Sequence, residues 1–173
     1  PTPDSSSAAS DVYKRQLLNI VLPPFEAAVE EGVSSVMNSF NDVNGIPATG
    51  DAYLQRTQLK ENWKFDGFIV SDWGSMREMI AHGYAPDLKT ATEMAIEAGS
   101  DMDMESEGYQ QYLQDLVESG KVDISLVDAA VRRVLRVKFH LGLFDDPYLY
   151  NDLKREEELV YNDCLLYTSD AAD

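Results

Sequence analysis

Residues 67–72, Gly67-Phe68-Ile69-Val70-Ser71-Asp72, decide the fold, because a short apolar run lies between an opening glycine and two closing polar residues. A continuous apolar run of this length is typical of a parallel strand that is covered on both faces. Two further strands are predicted, one marked by Val33, Val36 and Met37 that ends near Asn38 to Phe40, and one over residues 100–105 (SDMDME).

Helical patterns occupy the stretches before and after these strands. Asp51 and Asp87 stand at predicted helix starts, and Gly99 and Gly120 at predicted helix ends. Asn44-Gly45 followed by Pro47 predicts a turn. The predicted helices cover residues 23–31, 51 to about 63, 75–81, 87–99, the stretch around Tyr109–Val117, and a last helix that a capping box (Ser125-Leu126-Val127-Asp128) opens and Gly142 ends.

The alternation of strands and helices predicts the α/β class, with a parallel sheet and crossover helices. A closed (β/α)₈ TIM barrel needs about 200 to 400 residues. The chain has 173 residues and so predicts an incomplete barrel of about three βα units. A doubly wound sheet is the alternative, but no glycine-rich phosphate turn supports it. Open sheet edges predict association or instability when the chain is expressed alone.

Composition excludes several functional classes. The chain has 14 Lys and Arg against 31 Asp and Glu, a net charge of −17, which argues against binding to nucleic acid. It has no apolar run of about 18 residues, so no membrane span is predicted. A single cysteine, Cys164, excludes an internal disulfide framework, and the distant His82 and His140 make a histidine-rich metal site unfavourable.

The two ends of the chain differ from its middle. Residues 1–16 are rich in Ser, Ala and Asp, and the stretches 5–16 and 164–173 resemble translated adapter sequence. Both ends, 1–16 and 164–173, are therefore expected to be non-native or disordered tails, and the middle an internal piece of a longer product. Residues 17–150 form the predicted partial barrel domain, and 151–163 a linker that leaves it.

Functional residues are expected at the carboxyl ends of the parallel strands. Three segments stand there: Met37–Asn44, Ser71–Trp73 and Asp103–Glu105. Asp72 next to Trp73 combines a carboxylate with an aromatic ring suited to stacking on a sugar, which is typical of a carbohydrate site. The alternative is that Asp72 only caps the helix that follows.

Four motifs in order carry a resemblance to glycoside hydrolase family 3. Residues 64–73 (KFDGFIVSDW) resemble its nucleophile motif, and residues 36–47 (VMNSFNDVNGIP) its preceding motif, normally Met-x-Ser-Tyr-Asn-x-x-Asn-Gly-x-Pro. Residues 99–104 (GSDMDM) and 142–148 (GLFDDPY) resemble later segments, including the end of the barrel domain. The similarity covers roughly residues 17–163 and is greatest to the bacterial periplasmic-type β-glucosidases.

This resemblance implies the C-terminal part of a (β/α)₈ barrel and a retaining β-glycosidase of the β-glucosidase type, which hydrolyses terminal non-reducing β-linked sugars. Asp72 matches the nucleophile that forms the covalent glycosyl-enzyme. Met37 and Phe40 match positions that line the −1 sugar pocket, and Trp73 is expected to contact the substrate beside them. Phe40 stands where the family usually has Tyr, so a hydroxyl group is missing while the aromatic wall remains.

The general acid/base is expected outside the chain, because enzymes of this type supply it from a later domain. Glu78 and Glu105 are the alternatives within the chain. The expected partners are an oligosaccharide or β-glucoside and the remainder of the barrel with its C-terminal domains. No metal or organic cofactor is implied. Since relatives are often periplasmic or secreted, the same location is expected, and the isolated chain is expected to be inactive.

Three other functions remain open. A β-xylosidase and a β-N-acetylglucosaminidase belong to the same family, and the second carries its acid/base within the barrel domain. Trp73 and the segment Phe144–Tyr148 favour the glucosidase branch over the β-N-acetylglucosaminidase branch. The third function is a non-catalytic carbohydrate-binding protein.

Overall fold

The structure is a computed structural model that describes residues 15–160 and 162–170. A parallel strand pair with helices before and after it in the sequence is the central feature of the first of these ranges. Residues 1–14 and 171–173 of the two predicted tails lie outside the described ranges. The strands are β1 (Ser35–Met37), β2 (Asp42–Val43), β3 (Ile46–Pro47) and β4 (Phe68–Val70). The α-helices are α1 (Pro23–Glu30), α2 (Ser75–Ala81), α3 (Leu88–Ala98), α4 (Gly108–Glu118), α5 (Ile124–His140), α6 (Leu153–Leu159) and α7 (Asp163–Asp170).

Strands β1 and β4 pair in parallel, as predicted. Val36 lies opposite Ile69 and Met37 opposite Val70, and the Asn38 N–H extends the ladder by donating to the Val70 carbonyl at 3.0 Å. Ile69 is fully buried. The apolar run therefore forms a parallel strand that is buried at Ile69 and partly exposed at Phe68 and Val70, and the two strands end at the same edge of the sheet.

The third predicted strand, over residues 100–105, is wrong in extent. It reduces to one parallel bridge between Met102 and Val70. The extended backbone ends there because Glu105 takes a left-handed conformation with φ of 64° and the Asp103 carboxylate accepts the Gly108 N–H at 2.7 Å. The parallel order is thus β1, β4 and then Met102, which confirms a mixed α/β arrangement.

Local turn chemistry determines the β2–β3 hairpin. The predicted turn forms at Asn44 and Gly45, with φ of 55° and 79°, the left-handed values that a two-residue hairpin loop requires. The antiparallel pairing of β2 with β3 that follows was not predicted, because strands of two residues are too short to show a pattern.

The predicted boundaries of α3 are confirmed, because both of its capping residues lie next to it in the sequence. Asp87 Oδ1 accepts the Thr90 N–H at 2.8 Å at the start of α3, which lowers the pKa of Asp87, and Gly99 ends that helix at φ of 114°. The capping box predicted at Ser125–Asp128 is wrong. The Asp123 carboxylate instead accepts the Ser125 N–H at 2.8 Å, so the helix begins at Ile124, two residues earlier than a cap at Ser125 implies.

The helix predicted from Asp51 to about Trp63 forms with wide π-type turns over Tyr53–Asn62. Asp51 starts it as predicted, since its Oδ1 accepts the Tyr53 N–H at 2.8 Å. A ten-residue helix has too few turns for apolar spacing to separate π from α geometry. Shorter pieces are a π-turn at Leu17–Val21 and a 3₁₀ turn at Ala48–Gly50.

Three groups of buried apolar side chains form the core. One lies behind the sheet around Leu59, Phe65 and Ile69, and one holds Met79, Ala85 and Ala91 between α2 and α3. The third joins α3, α4 and α5 through Ile96, Leu116, Val122 and Ala130. These groups hold the helices on the sheet and leave its carboxyl edge to the loops.

Contacts divide the chain into a unit that ends at Val137 and a second one, Lys138–Asp173. In the second unit, Asp152 caps α6 by accepting the Lys154 and Arg155 N–H groups, and the Phe139 and Phe144 rings lie 6.5 Å apart. Helix α6 thus lies within the segment predicted as a linker. None of the described helices is both long and apolar enough to cross a membrane.

Gly67 allows the chain to approach Ser34, and Gly67→Ala tests this close contact. A Cβ atom at residue 67 would lie 2.2 Å from the backbone oxygen of Ser34, so we expect a loss of about 2 kcal/mol or more in the free energy of unfolding. Urea denaturation followed by tryptophan fluorescence measures it. Gly83→Ala is the control, since its Cβ meets open space and only the left-handed backbone costs about 1 kcal/mol. A smaller loss for Gly67→Ala than for Gly83→Ala would contradict the contact.

Candidate active site

The candidate site lies at the carboxyl edge of the parallel pair. The loop after β1 begins at Asn38, and the loop after β4 begins at Ser71. Because the two strands are parallel and in register, residues 38–40 and 71–73 leave the sheet side by side. Met102, on the other side of β4, continues the same edge. All three segments predicted to carry function therefore begin at this edge.

Asp72 is half-buried, and hydrogen bonds hold both its side chain and its backbone. Its Oδ1 accepts the Trp73 N–H at 2.7 Å, and its carbonyl accepts the Ser75 N–H at 3.2 Å. Gly74, with φ of 67°, is the N-cap of α2, so the interpretation that Asp72 caps this helix is wrong. The carboxylate is thus not used at the helix start.

Exposed apolar side chains accompany Asp72 at this edge. Met37 is 54% exposed, Phe40 40% and Trp73 65%. Exposed large apolar side chains that share a sheet edge with a carboxylate are typical of a small-molecule site. The structure thus brings the four residues singled out by the sequence to one edge of the sheet.

The two alternative carboxyls lie differently with respect to Asp72. Glu78 is an exposed residue of α2, one turn beyond its first residue Ser75. Glu105 is exposed in the loop after Met102, and the neighbouring Met104 N–H bonds to Ser71 Oγ at 2.8 Å. Of the two, Glu105 is therefore tied to the loop that carries Asp72.

A buried polar network lies beneath this edge and was not predicted. The Asn38 side-chain amide donates to Gln55 Oε1 at 3.1 Å and to Ser100 Oγ at 2.8 Å. Thr49 Oγ1 lies 3.0 Å from Asn38 Oδ1 and 2.9 Å from Ser75 Oγ, and the Gln55 amide donates to the Thr49 carbonyl. The network joins the end of β1 to the first residue of α2.

A buried charge cluster holds β4 from the side of residue 101. The Asp101 side chain is 1% exposed, accepts the Ile69 N–H at 2.9 Å, and pairs with Lys60 at 3.0 Å and Arg133 at 2.6 Å. Burial lowers the pKa of Lys60 to about 8, with Arg133 and Arg56 adding to the effect and Asp101 opposing it.

Tyr109 lies over the same segment. Its hydroxyl donates to the Ser100 carbonyl at 2.6 Å, and burial, together with Asp101 and Asp103, raises its pKa well above the usual value. The phenol therefore stays neutral and acts as a hydrogen-bond donor. No set of three His, Cys, Asp or Glu side chains within the described residues is placed to hold a metal ion.

The sequence does not indicate the buried polar network or the buried charge cluster, because the members of each are far apart in the sequence. Lys60 and Arg133 stand 41 and 32 residues from Asp101. One signal was present: a charged residue inside a strand that crossover helices cover needs a partner, and Asp101 lies in the predicted strand over residues 100–105. That signal indicates a partner without saying which one.

The sequence matches the family described as the glycosyl hydrolase family 3 N-terminal domain over residues 5–137. The periplasmic beta-glucosidase of Salmonella typhimurium is 41% identical over 152 residues, which are 88% of this chain and 20% of that protein. A putative beta-xylosidase of Formosa agariphila is 38% identical over 84% of this chain and 19% of its own length. The chain thus spans about a fifth of the length of these relatives.

Solved structures agree with this result. The beta-glucosidase from Listeria innocua superposes with a TM-score of 0.80 at 42% identity, over 84% of this chain and 20% of that one. Its complex with glucose gives a TM-score of 0.81 at 41% identity, over 87% of this chain and 20% of that one. The chain therefore shares its fold with the matching part of this beta-glucosidase.

The pKa of Lys60 predicts a pH dependence of stability. Between about pH 8 and 10.5 the unfolded chain binds the Lys60 proton and the folded chain does not, so Lys60 makes stability rise with pH in that window. Compared with Lys60→Met, the wild-type free energy of unfolding should increase across the window by on the order of 3 kcal/mol. Urea denaturation at pH 7.5, 9 and 10.5 measures the difference.

Lys121→Met is the control for loss of one lysine charge, because it makes the same substitution at a side chain that is 59% exposed. A difference between wild type and Lys60→Met that is flat or falls between pH 8 and 10.5 would contradict the buried position of Lys60.

Proposed function

This chain belongs to the N-terminal domain family of glycosyl hydrolase family 3, and from that membership we propose that it carries the nucleophile of a retaining β-glycosidase. The observation that supports the proposal is the position of Asp72. Asp72 is half-buried, and its carboxylate lies at the carboxyl edge of the sheet next to the exposed Trp73 and is not used to cap α2. A carboxylate in such a place is available to a sugar.

In the proposed reaction, an Asp72 carboxylate oxygen attacks the anomeric carbon and forms a glycosyl ester. The bond to the leaving-group oxygen breaks, and a general acid protonates that oxygen. Water, deprotonated by the same group, then attacks the anomeric carbon, and Asp72 leaves as the free carboxylate. Asp72 must be aimed at the anomeric carbon for this role, and the Trp73 N–H that bonds its Oδ1 at 2.7 Å helps to hold the carboxylate in place.

Met37, Phe40 and Trp73 are proposed to contact the sugar. Their exposure supports this role, since apolar faces of sugars pack on exposed aromatic and thioether groups. Phe40 offers a wall without a hydroxyl, so any hydrogen bond that a tyrosine would make there is absent.

The general acid/base is proposed to come from outside this chain. Retaining enzymes hold their two carboxyl groups about 5 to 5.5 Å apart. Glu78 and Glu105 are both exposed, and no hydrogen bond in the described residues joins either side chain to the Asp72 loop. Glu105 remains the alternative, because its loop is bonded to that of Asp72.

The parallel order β1, β4 and Met102 supports a place in a (β/α)₈ barrel. Barrel enzymes carry their active sites at the carboxyl ends of the strands, where Asp72 lies. We assign the segment to the C-terminal part of such a barrel.

A β-glucoside is the proposed substrate class, because the Salmonella and Listeria β-glucosidases share 41% and 42% identity with the chain. A β-xyloside is the second candidate, favoured by the 38% identity with the Formosa protein. The periplasmic name of the Salmonella relative supports a periplasmic or secreted location.

The chain by itself is expected to be inactive, since the proposed site needs a second carboxyl group. Purified residues 1–173 should release no p-nitrophenol from p-nitrophenyl β-D-glucoside above the blank. Release that Asp72→Asn abolishes would show that both groups lie in this chain.

The nucleophile is tested in a chimera in which residues 17–160 replace the matching segment of the Salmonella enzyme. Asp72→Gly should lower kcat by about 10³-fold or more, because no covalent intermediate can form. Azide should restore turnover and yield the α-glycosyl azide, since the small anion fills the space of the carboxylate.

Asp66→Asn is the matched control in the same chimera. Asp66 is a carboxylate six residues earlier, at the other end of β4, and its side chain is 81% exposed. It should keep kcat within about 3-fold of the parent chimera. Equal activity in the Asp72→Gly and Asp66→Asn chimeras would reject Asp72 as the nucleophile and favour a non-catalytic role for this edge.

A further inference from the structure

We propose that Ser71 is a positioning residue that holds the Asp72 carboxylate at its reacting place by hydrogen-bonding the loop after Met102. The inference rests on the proposed function. Ser71 is fully buried, so its hydroxyl is not available to a substrate. It accepts the Met104 N–H at 2.8 Å and donates to the Asp72 carbonyl at 3.0 Å. The Ser71 hydroxyl oxygen thus links Asp72, the proposed nucleophile, to the segment that follows Met102.

Two backbone hydrogen bonds lie on either side of this hydroxyl. The Ser71 N–H donates to the Met102 carbonyl at 2.9 Å, and the Gly74 N–H donates to the Met104 carbonyl at 2.8 Å. Asp72 and Trp73 are therefore a two-residue span between two anchored ends. With so short a span, a shift of either end moves the carboxylate directly.

The anchoring loop is itself held firmly. The Asp103 carboxylate accepts N–H groups from Ser106 at 3.2 Å and Gly108 at 2.7 Å, and Arg77 of α2 donates to the Ser106 carbonyl at 2.7 Å. These bonds keep two glutamates of the loop, Glu105 and Glu107, in left-handed conformations that cost about 1 kcal/mol each. Strained conformations persist only where the surrounding contacts fix them, so this loop also fixes the residues that are hydrogen-bonded to it.

The Ser71 hydroxyl differs from the two backbone bonds because it is a side chain that substitution can remove. Without it, the half-buried Met104 N–H loses its acceptor, and the loop relaxes towards another partner. The Asp72 carbonyl keeps the Ser75 N–H, so the segment stays folded. The expected result is a displaced nucleophile in a folded protein, which lowers kcat more than it changes substrate binding.

Three variants in the Salmonella chimera separate hydrogen bonding from packing. Ser71→Ala removes the hydroxyl, Ser71→Cys keeps the volume but accepts a hydrogen bond weakly, and Ser71→Thr keeps the hydroxyl and adds a methyl group. We expect kcat for p-nitrophenyl β-D-glucoside to fall about 10- to 100-fold in the Ala and Cys variants, with KM within about 3-fold. The Thr variant should recover kcat to within about 5-fold of the parent chimera.

A packing role predicts the opposite order. Cys would then match the parent, and Thr would be the most impaired because the site is fully buried. That order, or a rise in KM with unchanged kcat, would overturn the proposal. Thr92→Val is the control for loss of a buried hydroxyl, since Thr92 is also fully buried and its hydroxyl donates to the Leu88 carbonyl within α3. It should destabilise the chimera and keep kcat within about 3-fold.

Hydrogen exchange of the Met104 amide in the 173-residue chain gives a readout that needs no activity. Ser71→Ala and Ser71→Cys should speed this exchange at least about 10-fold, and Ser71→Thr should not, because a lost acceptor opens the N–H to water. Exchange unchanged in all three variants would overturn the proposal even if a chimera failed to fold.

The Asp72→Gly chimera separates failure of this inference from failure of the proposed function. If Asp72→Gly is inactive while Ser71→Ala stays within about 3-fold of the parent, only the positioning role is wrong. If Asp72→Gly is active, the nucleophile assignment fails, and the positioning role fails with it.

Discussion

The hydrogen bonds between β4 and the segment from Asp101 to Met104 are the constraint on which the rest of the structure depends. The Ile69 carbonyl accepts the N–H groups of both Asp101 and Met102, while the Asp101 carboxylate accepts the Ile69 N–H. The Asp101 carboxylate thus takes the place of a backbone carbonyl as the acceptor for the Ile69 N–H, next to the single bridge that Met102 makes with Val70. Burying that carboxylate is unfavourable by itself, and Lys60 and Arg133 offset the cost by pairing with it. The pairing with β4 therefore joins the sheet to two helical segments, Tyr53–Asn62 and α5.

The layer under the candidate site is polar, whereas the layers under the helices are apolar. Apolar contacts tolerate small shifts, but hydrogen bonds require distance and direction together. In the network, the Asn38 side-chain amide donates to Gln55 and Ser100, and these two bonds fix the orientation of that side chain. Asn38 follows β1 directly, so the same bonds position the loop that carries Phe40. A polar layer of this kind gives up some hydrophobic stabilisation and yields a more uniquely defined edge, as the role proposed for Asp72 requires.

The features that the sequence predicts are those encoded within a few residues. The apolar run at 68–70, the Asn44-Gly45 turn and the helix between Asp87 and Gly99 all depend on local sterics and local hydrogen bonds. The third strand fails as a prediction because the pattern of 100–105 is extended in character, but Asp103 bonds forward to Gly108 and bends the chain. The partners of Asp101 depend on tertiary packing, so no local pattern indicates Lys60 or Arg133. Trp73 and the family motif indicate Asp72 in the sequence, whereas nothing local distinguishes the Ser71 hydroxyl from the end of a strand.

The Asp72 loop shows how a fold can position the proposed nucleophile with very few residues. Gly74, at φ of 67°, turns the chain from the sheet edge into α2 and also directs its N–H towards the Met104 carbonyl. A residue with a Cβ atom would be strained at this φ, so the turn and the anchor both require glycine. Ser71 anchors the other end through a hydroxyl that is both donor and acceptor. Because the two anchors bond to the same segment, residues 102–104, the carboxylate between them moves with that segment and not with α2 alone. The position of the Asp72 carboxylate therefore depends on how firmly Asp101 holds that segment to the sheet and Asp103 holds it to α4, and both residues lie outside the proposed sugar contacts.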